Sequence, residues 1–505
     1  MPKQTNRPNI IVIMTDQQRA DVSAREGFPL DTTPFLDSLA RKGVWFDKAY
    51  TASPICVAAR CSMLTGRYPG AHRVRENGGI RHVSYTHDVF DVMKEQGYAT
   101  ALIGKNHTYL KANSPSVDRF VALNHFGDQG PFRSEQEKSF TEWLSRRSQC
   151  CMEPAPFPAD CQNPARGVTS ALEWVESLDE EPFFLWLSFP EPHNPYQAPE
   201  PYFSMFPPDT LPPVRATAED RERKGFKWQW CRQQGDYFNP DYEAEIPRVR
   251  ANYFGMLRLI DDEVQRLVHT LEASGRLDNT ILVYLSDHGD FVGEYGLIKK
   301  GPELPDILLR IPLFFAGPGI VSQEQPHPAH VSIVDLLPTL CEAIGADIPA
   351  GVQGRSLWPL LTGKEYPAQE FASVYGEHGF GGLEFTDEDG LDISHFGSSS
   401  EKDGERIVRF DELNTVTQSG FMRTVRKEDW KLNMSMRGKR ELYRISDDPL
   451  ELNNRAGQSE TLETELDLLS ELAVWMMRSE DPLPYPAGYS YKKDPRNYAA
   501  PYRCE

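Results

Sequence analysis

Aspartate, lysine and histidine recur at four places in this chain, each time directly behind a short apolar run. Asn9–Met14 leads into Thr15-Asp16-Gln17-Gln18, and Ala99–Ile103 into Gly104-Lys105-Asn106-His107. Phe183–Phe189 leads into Pro190-Glu191-Pro192-His193, and Thr280–Ser286 into Asp287-His288-Gly289-Asp290. Two carboxylates and an imidazole suit a divalent ion. Oxygen donors favour Ca²⁺ or Mg²⁺, and the histidine admits Mn²⁺ or Zn²⁺. Each piece alone has a plainer reading: Asp16 as a solvated turn residue, Asp287-His288-Gly289 as a helix cap and turn. Their recurrence behind four separate runs points to one metal- or anion-handling site.

Cys56 and Arg60 lie four residues apart in Ser53-Pro54-Ile55-Cys56-Val57-Ala58-Ala59-Arg60. In a helix that spacing puts both on one face. Pro54 suits the entry to such a helix, and Gly66, after Thr65, suits its C-terminal cap. A nucleophile at the helix N-terminus would face amide donors that favour negative charge. A buried structural cysteine in an alanine-rich helix is the competing reading, because cysteine is commonly buried. His72-Arg73-Val74-Arg75-Glu76-Asn77 and the Lys299-Lys300 pair behind Gly296-Leu297-Ile298 are further polar candidates.

These groups need a scaffold that brings them together. The four apolar runs are short and rich in Ile, Val, Phe and Leu, as expected of parallel strands buried on both faces. Helical patterns separate them. Thr33-Pro34 starts one by capping, and Gly43 ends it. A longer one runs from about Arg248 to Ser274, with apolar residues at helical spacing from Tyr253 to Leu271. Alternating strand and helix predicts an α/β fold with a mainly parallel sheet. In such sheets ligands bind beyond the carboxyl ends of the strands, where all four polar segments fall.

The chain of 505 residues suits a large domain and a smaller one. We expect the first over residues 1–370 and the second, an α+β unit with an antiparallel sheet, over 371–505. Residues 199–247, rich in Pro and Trp, are expected to form an insertion or lid. Trp228, Trp230, Tyr237 and Phe238 in it could stack on substrate rings or simply pack. A formal net charge of −20 argues against nucleic-acid or anionic-membrane binding, so an anionic substrate needs a local cationic pocket. The N-terminal apolar run is too short for a signal peptide, and no stretch has the length of a membrane span. The eight cysteines are irregularly spread, with no C-x-x-C pattern. Reduced thiols and a cytoplasmic location are the expectation.

Cys56-Val57-Ala58-Ala59-Arg60, with Thr65-Gly66 behind it, resembles the signature of the formylglycine-dependent sulfatases. Asp16-Gln17, Gly104-Lys105-Asn106-His107, Pro192-His193-Asn194-Pro195-Tyr196, Asp287-His288-Gly289, Gly354-Arg355-Ser356-Leu357 and Glu441-Leu442-Tyr443 follow that family's order. The resemblance implies an alkaline-phosphatase-like α/β/α sandwich. It implies that a maturation enzyme oxidises Cys56 to formylglycine, whose hydrate attacks a sulfate monoester of a carbohydrate or aryl alcohol. Asp16, Asp287 and His288, with residue 56 and the uncharged Gln17, would hold one divalent ion, Ca²⁺ before Mg²⁺ or Mn²⁺. Arg60, Lys105, Lys300 and Asn77 would hold the sulfuryl group. Asp287 would act as base, His193 with Lys300 would protonate the leaving alcohol, and His107 would release sulfate. Many members have Asp-Asp where this chain has Asp16-Gln17. A phosphonate monoester or phosphodiester hydrolase of the same superfamily is the alternative, with Lys105 and His107 favouring sulfate. The resemblance leaves the oligomeric state open.

Overall fold

The four apolar runs become four adjacent parallel strands. A computed structural model of the protein describes residues 7–147, 149–381, 384–402, 405–410 and 420–483. The end of the expected second unit, with Cys504, lies outside them. In chain order the strands are β1 (Asn9–Asp16), β2 (Val44–Phe46), β3 (Ala49–Tyr50), β4 (Ala99–Gly104), β5 (Arg119–Ala122), β6 (Phe183–Pro192), β7 (Thr280–Ser286), β8 (Leu313–Ala316), β9 (Val331–Ser332), β10 (Ser373–His378), β11 (Gly397–Lys402), β12 (Glu405–Phe410), β13 (Met422–Lys427), β14 (Trp430–Ser435) and β15 (Arg440–Arg444). The main sheet has seven strands in the order β2-β8-β7-β1-β6-β4-β5. β1 pairs in parallel with both β6 and β7, and β4 with β5 and β6. β8 runs against both its neighbours.

Residue alternation divides the core into two layers. Ile10, Val12, Met14, Phe184, Trp186, Val283 and Leu285 pack on one face, while Ile11, Ile13, Leu185, Leu187, Leu282 and Tyr284 pack on the other. Both faces are covered, so the strands read as continuous apolar runs rather than alternating ones. Each fully buried large aliphatic side chain contributes about 1.5–3 kcal/mol. Helices Pro34–Arg41, Asn163–Glu176 and Tyr242–Ala273 cover the second face. Helices Cys56–Thr65 and Leu336–Ile344 cover the first, with residues of the C-terminal sheet (β10-β13-β14-β15) and helix Leu462–Arg478. This is the expected α/β/α sandwich with a C-terminal antiparallel sheet.

Several details depart from the sequence reading. Thr33 makes no side-chain cap, although Pro34 does open its helix. Asp261 of the long helix accepts from the Phe35 and Leu36 amides instead, at 3.0 and 2.7 Å. The long helix begins at Tyr242 and carries Pro247 inside its second turn, past the unpartnered first amides, so the proline gives up one intrahelical hydrogen bond near the start. β12 leaves the four-stranded sheet and pairs with β11 as a hairpin against helix Phe226–Phe238. In that helix Trp228, Trp230 and Phe238 are buried in packing, and Tyr237 is exposed. Among the described residues no helix is long and apolar enough to cross a membrane, and the described cysteines carry free thiols.

Candidate active site

The carboxyl ends of β1, β4, β6 and β7 deliver Asp16, Lys105, His193 and Asp287 to one place. Two local irregularities aim them. The register between β1 and β6 shifts between Met14 and Asp16, and such bulges re-aim side chains at sheet rims. Gly104 has φ 109°, and a Cβ there would meet the Ser188 carbonyl oxygen at 1.8 Å. Only glycine lets β4 approach β6 so closely just before Lys105. Gln17 and His107 also have positive φ, 73° and 45°. Such conformations cost of order 1–3 kcal/mol and cluster at functional sites.

Cys56 is the first residue of helix Cys56–Thr65, which ends as expected with Gly66 left-handed at φ 62°. Its Sγ lies 3.1 Å from His288 Nε2, 3.3 Å from Lys300 Nζ and 3.7 Å from Asp16 Oδ1. Burial and Asp16 push the Cys56 thiol up, yet Lys300, Lys105 and His288 outweigh them and lower it. Lys300, rather than Lys299, is the lysine that reaches Cys56. Lys299 instead donates its backbone amide to the Tyr196 hydroxyl.

Arg60, one helical turn on, is fully buried. Its guanidinium donates to Asp287 Oδ2 at 2.9 Å, Asp16 Oδ2 at 2.7 Å, and the Lys105 carbonyl and Ser188 Oγ at 2.9 Å each. Arg60 thus clamps the two carboxylates and fixes their spacing. This places it behind them, where the sequence reading had it on the sulfuryl oxygens. Lys105 Nζ lies 2.7 Å from Asp16 Oδ2 without an aligned hydrogen bond. Burial alone would raise the Asp16 carboxyl, but Lys105 and Arg60 hold it well below the usual carboxylate range. Arg60, Lys105 and Lys300 against Asp16 and Asp287 leave the buried cluster one positive charge in excess. That is the local cationic pocket a chain of this net charge needs for an anion.

The donor set fits a divalent cation. Asp16, Cys56, Asp287 and His288 each present a ligand atom, all within 4.8 Å of one another. His288 Nδ1 faces the Gly289 carbonyl at 2.8 Å, which assigns the proton there and leaves Nε2 with its lone pair. Burial would lower His288, but Asp287 and Cys56 raise it, so its basic nitrogen faces carboxylate and sulfur. Gln17 adjoins the set, its backbone amide donating to Asp287 Oδ1 at 3.0 Å. Its amide nitrogen is held by Asp290 at 2.5 Å, and its Oε1 is buried with no partner. An orphaned carbonyl oxygen in such a cluster is costly unless a cation takes it. Asp290, which also accepts from Tyr196 at 2.7 Å, thereby orients the Gln17 amide.

The remaining candidates divide. His193 is buried, with Nδ1 2.6 Å from the Asn194 carbonyl. Burial, then Lys105, holds it well below the usual histidine range. His107 is also shifted far down, by burial, Lys105 and Arg60, and its Nδ1 is buried without a partner. Asn77 accepts from the Val57 amide at 3.4 Å, so it caps the Cys56 helix, which has no side-chain cap from Ile55. His125 carried no motif and was missed. Its ring centroid lies 4.2 Å from that of His193 and 5.8 Å from that of His107. Tyr196 and Asp290 lay inside segments already singled out, but their support of Gln17 exists only in three dimensions.

A chain with this sheet and this cluster has clear relatives. The Sulfatase family model matches residues 8–346. The chain belongs to the sulfatase family and is a sulfuric ester hydrolase. An arylsulfatase of Clostridium perfringens (strain 13 / Type A) is 28% identical over 499 residues, covering 93% of this chain and 94% of that one. Among solved structures, a phosphonate monoester hydrolase from Silicibacter pomeroyi superposes with a TM-score of 0.75 at 22% identity, covering 94% of this chain and 96% of the other. A protein solved with its substrate D-glucosamine-2-N,6-O-disulfate superposes with a TM-score of 0.69 at 20% identity, over 95% and 99%. At these identities the two structures speak for the fold.

Proposed function

We propose that the protein hydrolyses sulfate monoesters of carbohydrate or aryl alcohols, with residue 56, converted from cysteine to formylglycine by a maturation enzyme, as nucleophile. The observation that carries this is the position of Cys56. Its side chain starts a helix and meets His288, Lys300 and Asp16 together. Cys56 Sγ marks where an oxygen of the aldehyde hydrate would stand. A divalent ion, Ca²⁺ before Mg²⁺ or Mn²⁺, would supply Lewis acidity to that oxygen and to the sulfate. Asp16, Asp287, His288 and Gln17 would hold it.

The chain's own residues do the rest. Lys105 and Lys300 hold sulfuryl oxygens, and Arg60 keeps Asp16 and Asp287 in place for them. Asp287 takes the proton from the nucleophile. His193 carries its resting proton on Nδ1, toward Asn194. Protonating the leaving oxygen therefore requires a second proton on Nε2. An arriving sulfate anion favours that cationic form. His107, with its unpartnered Nδ1, is free to take the proton whose removal releases sulfate.

Gln17→Ala is expected to weaken divalent-ion affinity by about 10- to 100-fold, read by calorimetric titration of metal-free protein. Unchanged affinity would remove Gln17 from the ligand set. The second reading, a phosphonate monoester hydrolase, draws on the shared fold. A substrate panel separates the two. Protein with residue 56 verified as aldehyde should turn over sulfate esters far faster than phosphonate monoesters; the reverse order would promote the second reading.

A further inference from the structure

Beside the Cys56 helix lies a second polar hollow that the chemistry above does not use. It is lined by Ser53, Arg75, Glu377, His378 and Arg423. His378 ends β10, and Arg423 lies on its neighbour β13, opposite Glu377. β10 is fastened to the loop before Cys56, because the Glu377 amide donates to the Ala52 carbonyl at 2.9 Å. Ser53 is three residues before Cys56, at most about 10 Å of chain. Arg75 is two residues before Asn77, the cap of that helix. The hollow therefore lies between the start of the Cys56 helix and the C-terminal sheet, within about 10 Å of chain from Cys56.

Its charges are not balanced. The guanidinium groups of Arg75 and Arg423 lie 4.9 and 4.8 Å from the centroid of the same Phe421 ring. Glu377 pairs with Arg423 at 3.2 Å and also accepts from the Tyr375 hydroxyl at 3.0 Å and the Gly70 amide. Among the described residues Arg75 makes no hydrogen bond or close ion pair; it has its aromatic contact and the field of Glu377 nearby. A guanidinium stays charged, so one positive charge is left over. His378 is 3% exposed, and neither of its ring nitrogens has a partner. Burial, then Lys227 and Arg423, lowers it to about 4, so it is a neutral imidazole with one N–H to give. The hollow is too tight for a free water, so solvent does not satisfy those nitrogens. Arg75, tethered by no hydrogen bond, is the wall that can move aside.

We propose that Arg75, Arg423 and His378 form a subsite for a second oxyanion, a sulfate or a carboxylate, carried by the alcohol part of the substrate. This rests on the sulfatase reading and narrows it to multiply anionic substrates, such as disulfated or uronate-containing sugars. Arg75 and Arg423 supply charge-assisted hydrogen bonds to the oxyanion, and His378 donates its N–H once Arg75 turns outward. Glu377 offsets one of the two guanidinium charges, and an oxyanion would take up the other.

Three matched probes test the subsite: a sugar monosulfate, the same sugar with a second sulfate, and the same monosulfate bearing a uronic carboxylate. The wild-type protein is expected to favour at least one dianionic probe by about tenfold or more in kcat/KM. Arg75→Met keeps the contact with Phe421 and removes the charge. It should reduce that preference to near parity, mainly through KM. His378→Phe should reduce it in part. Whichever arm responds identifies the anion. Equal kcat/KM for all three probes in the wild type, or a full preference retained in Arg75→Met, would overturn the subsite while leaving sulfate hydrolysis standing. Failure on every sulfate probe would instead count against the sulfatase reading. The subsite then stands or falls on calorimetric binding of the sugar bearing only the second anion. Binding weakened about tenfold by Arg75→Met supports it, and equal or absent binding in both proteins overturns it.

Discussion

Cys56→Ala is expected to reduce sulfate-ester turnover by about 10⁴-fold or more, the scale on which removal of a catalytic nucleophile acts. Stability should barely change. Alanine is the best helix former, and the sulfur's closest contacts are the polar side chains of His288 and Lys300. The helix keeps its cap from Asn77 and its left-handed Gly66. Steady-state rates on an activated aryl sulfate, beside a thermal melt, check both halves. Substantial residual turnover with an intact melt would remove residue 56 from the chemistry.

Asp287→Asn should be nearly as severe, and for a different reason. Asp287 Oδ2 accepts from Arg60 at 2.9 Å, and Oδ1 accepts from the amides of Gln17 and His288 at 3.0 and 2.9 Å. An asparagine oxygen can keep the two amides. Its NH₂ then faces the Arg60 guanidinium, donor against donor. Arg60 would be left with Asp16 as its one carboxylate, in a cluster whose positive excess has grown by one. Removing one partner of a buried pair costs about 3–5 kcal/mol. We therefore expect a lower melting temperature, loss of bound divalent ion measured by elemental analysis, and a fall in turnover of about 10³-fold or more from the lost base and ligand. Wild-type metal content in a folded Asp287→Asn protein would contradict the assigned site.

Much of this site was legible because its information is local. β1, β4, β6 and β7 announce themselves as short apolar runs, and the polar residues that matter come within a few positions of each strand end. The Cys56 helix is equally local, from Pro54 to Gly66. What stayed hidden is carried by contacts distant in sequence. The cap on helix Pro34–Arg41 comes from Asp261, more than two hundred positions away, so Thr33-Pro34 was a true start with the wrong donor. Asn77 reads as a substrate contact until Val57 is seen beside it. Arg60 reads as an anion binder until both carboxylates are found on its guanidinium. His125 has no flanking pattern, and only the fold sets it against His193. β12 falls in the stretch expected to form one antiparallel sheet, yet among the described residues it pairs only with β11, beside helix Phe226–Phe238, an arrangement no periodicity encodes.

The central claim is that turnover belongs to an aldehyde at residue 56. Preparations graded in the fraction of residue 56 converted, from co-expression with none to an excess of a maturation enzyme, allow a direct measurement. Peptide mass spectrometry gives the converted fraction, and the initial rate on an aryl sulfate gives the activity of the same sample. The account predicts a straight line through the origin. Full activity in protein whose Cys56 is verified as an unmodified thiol would contradict it.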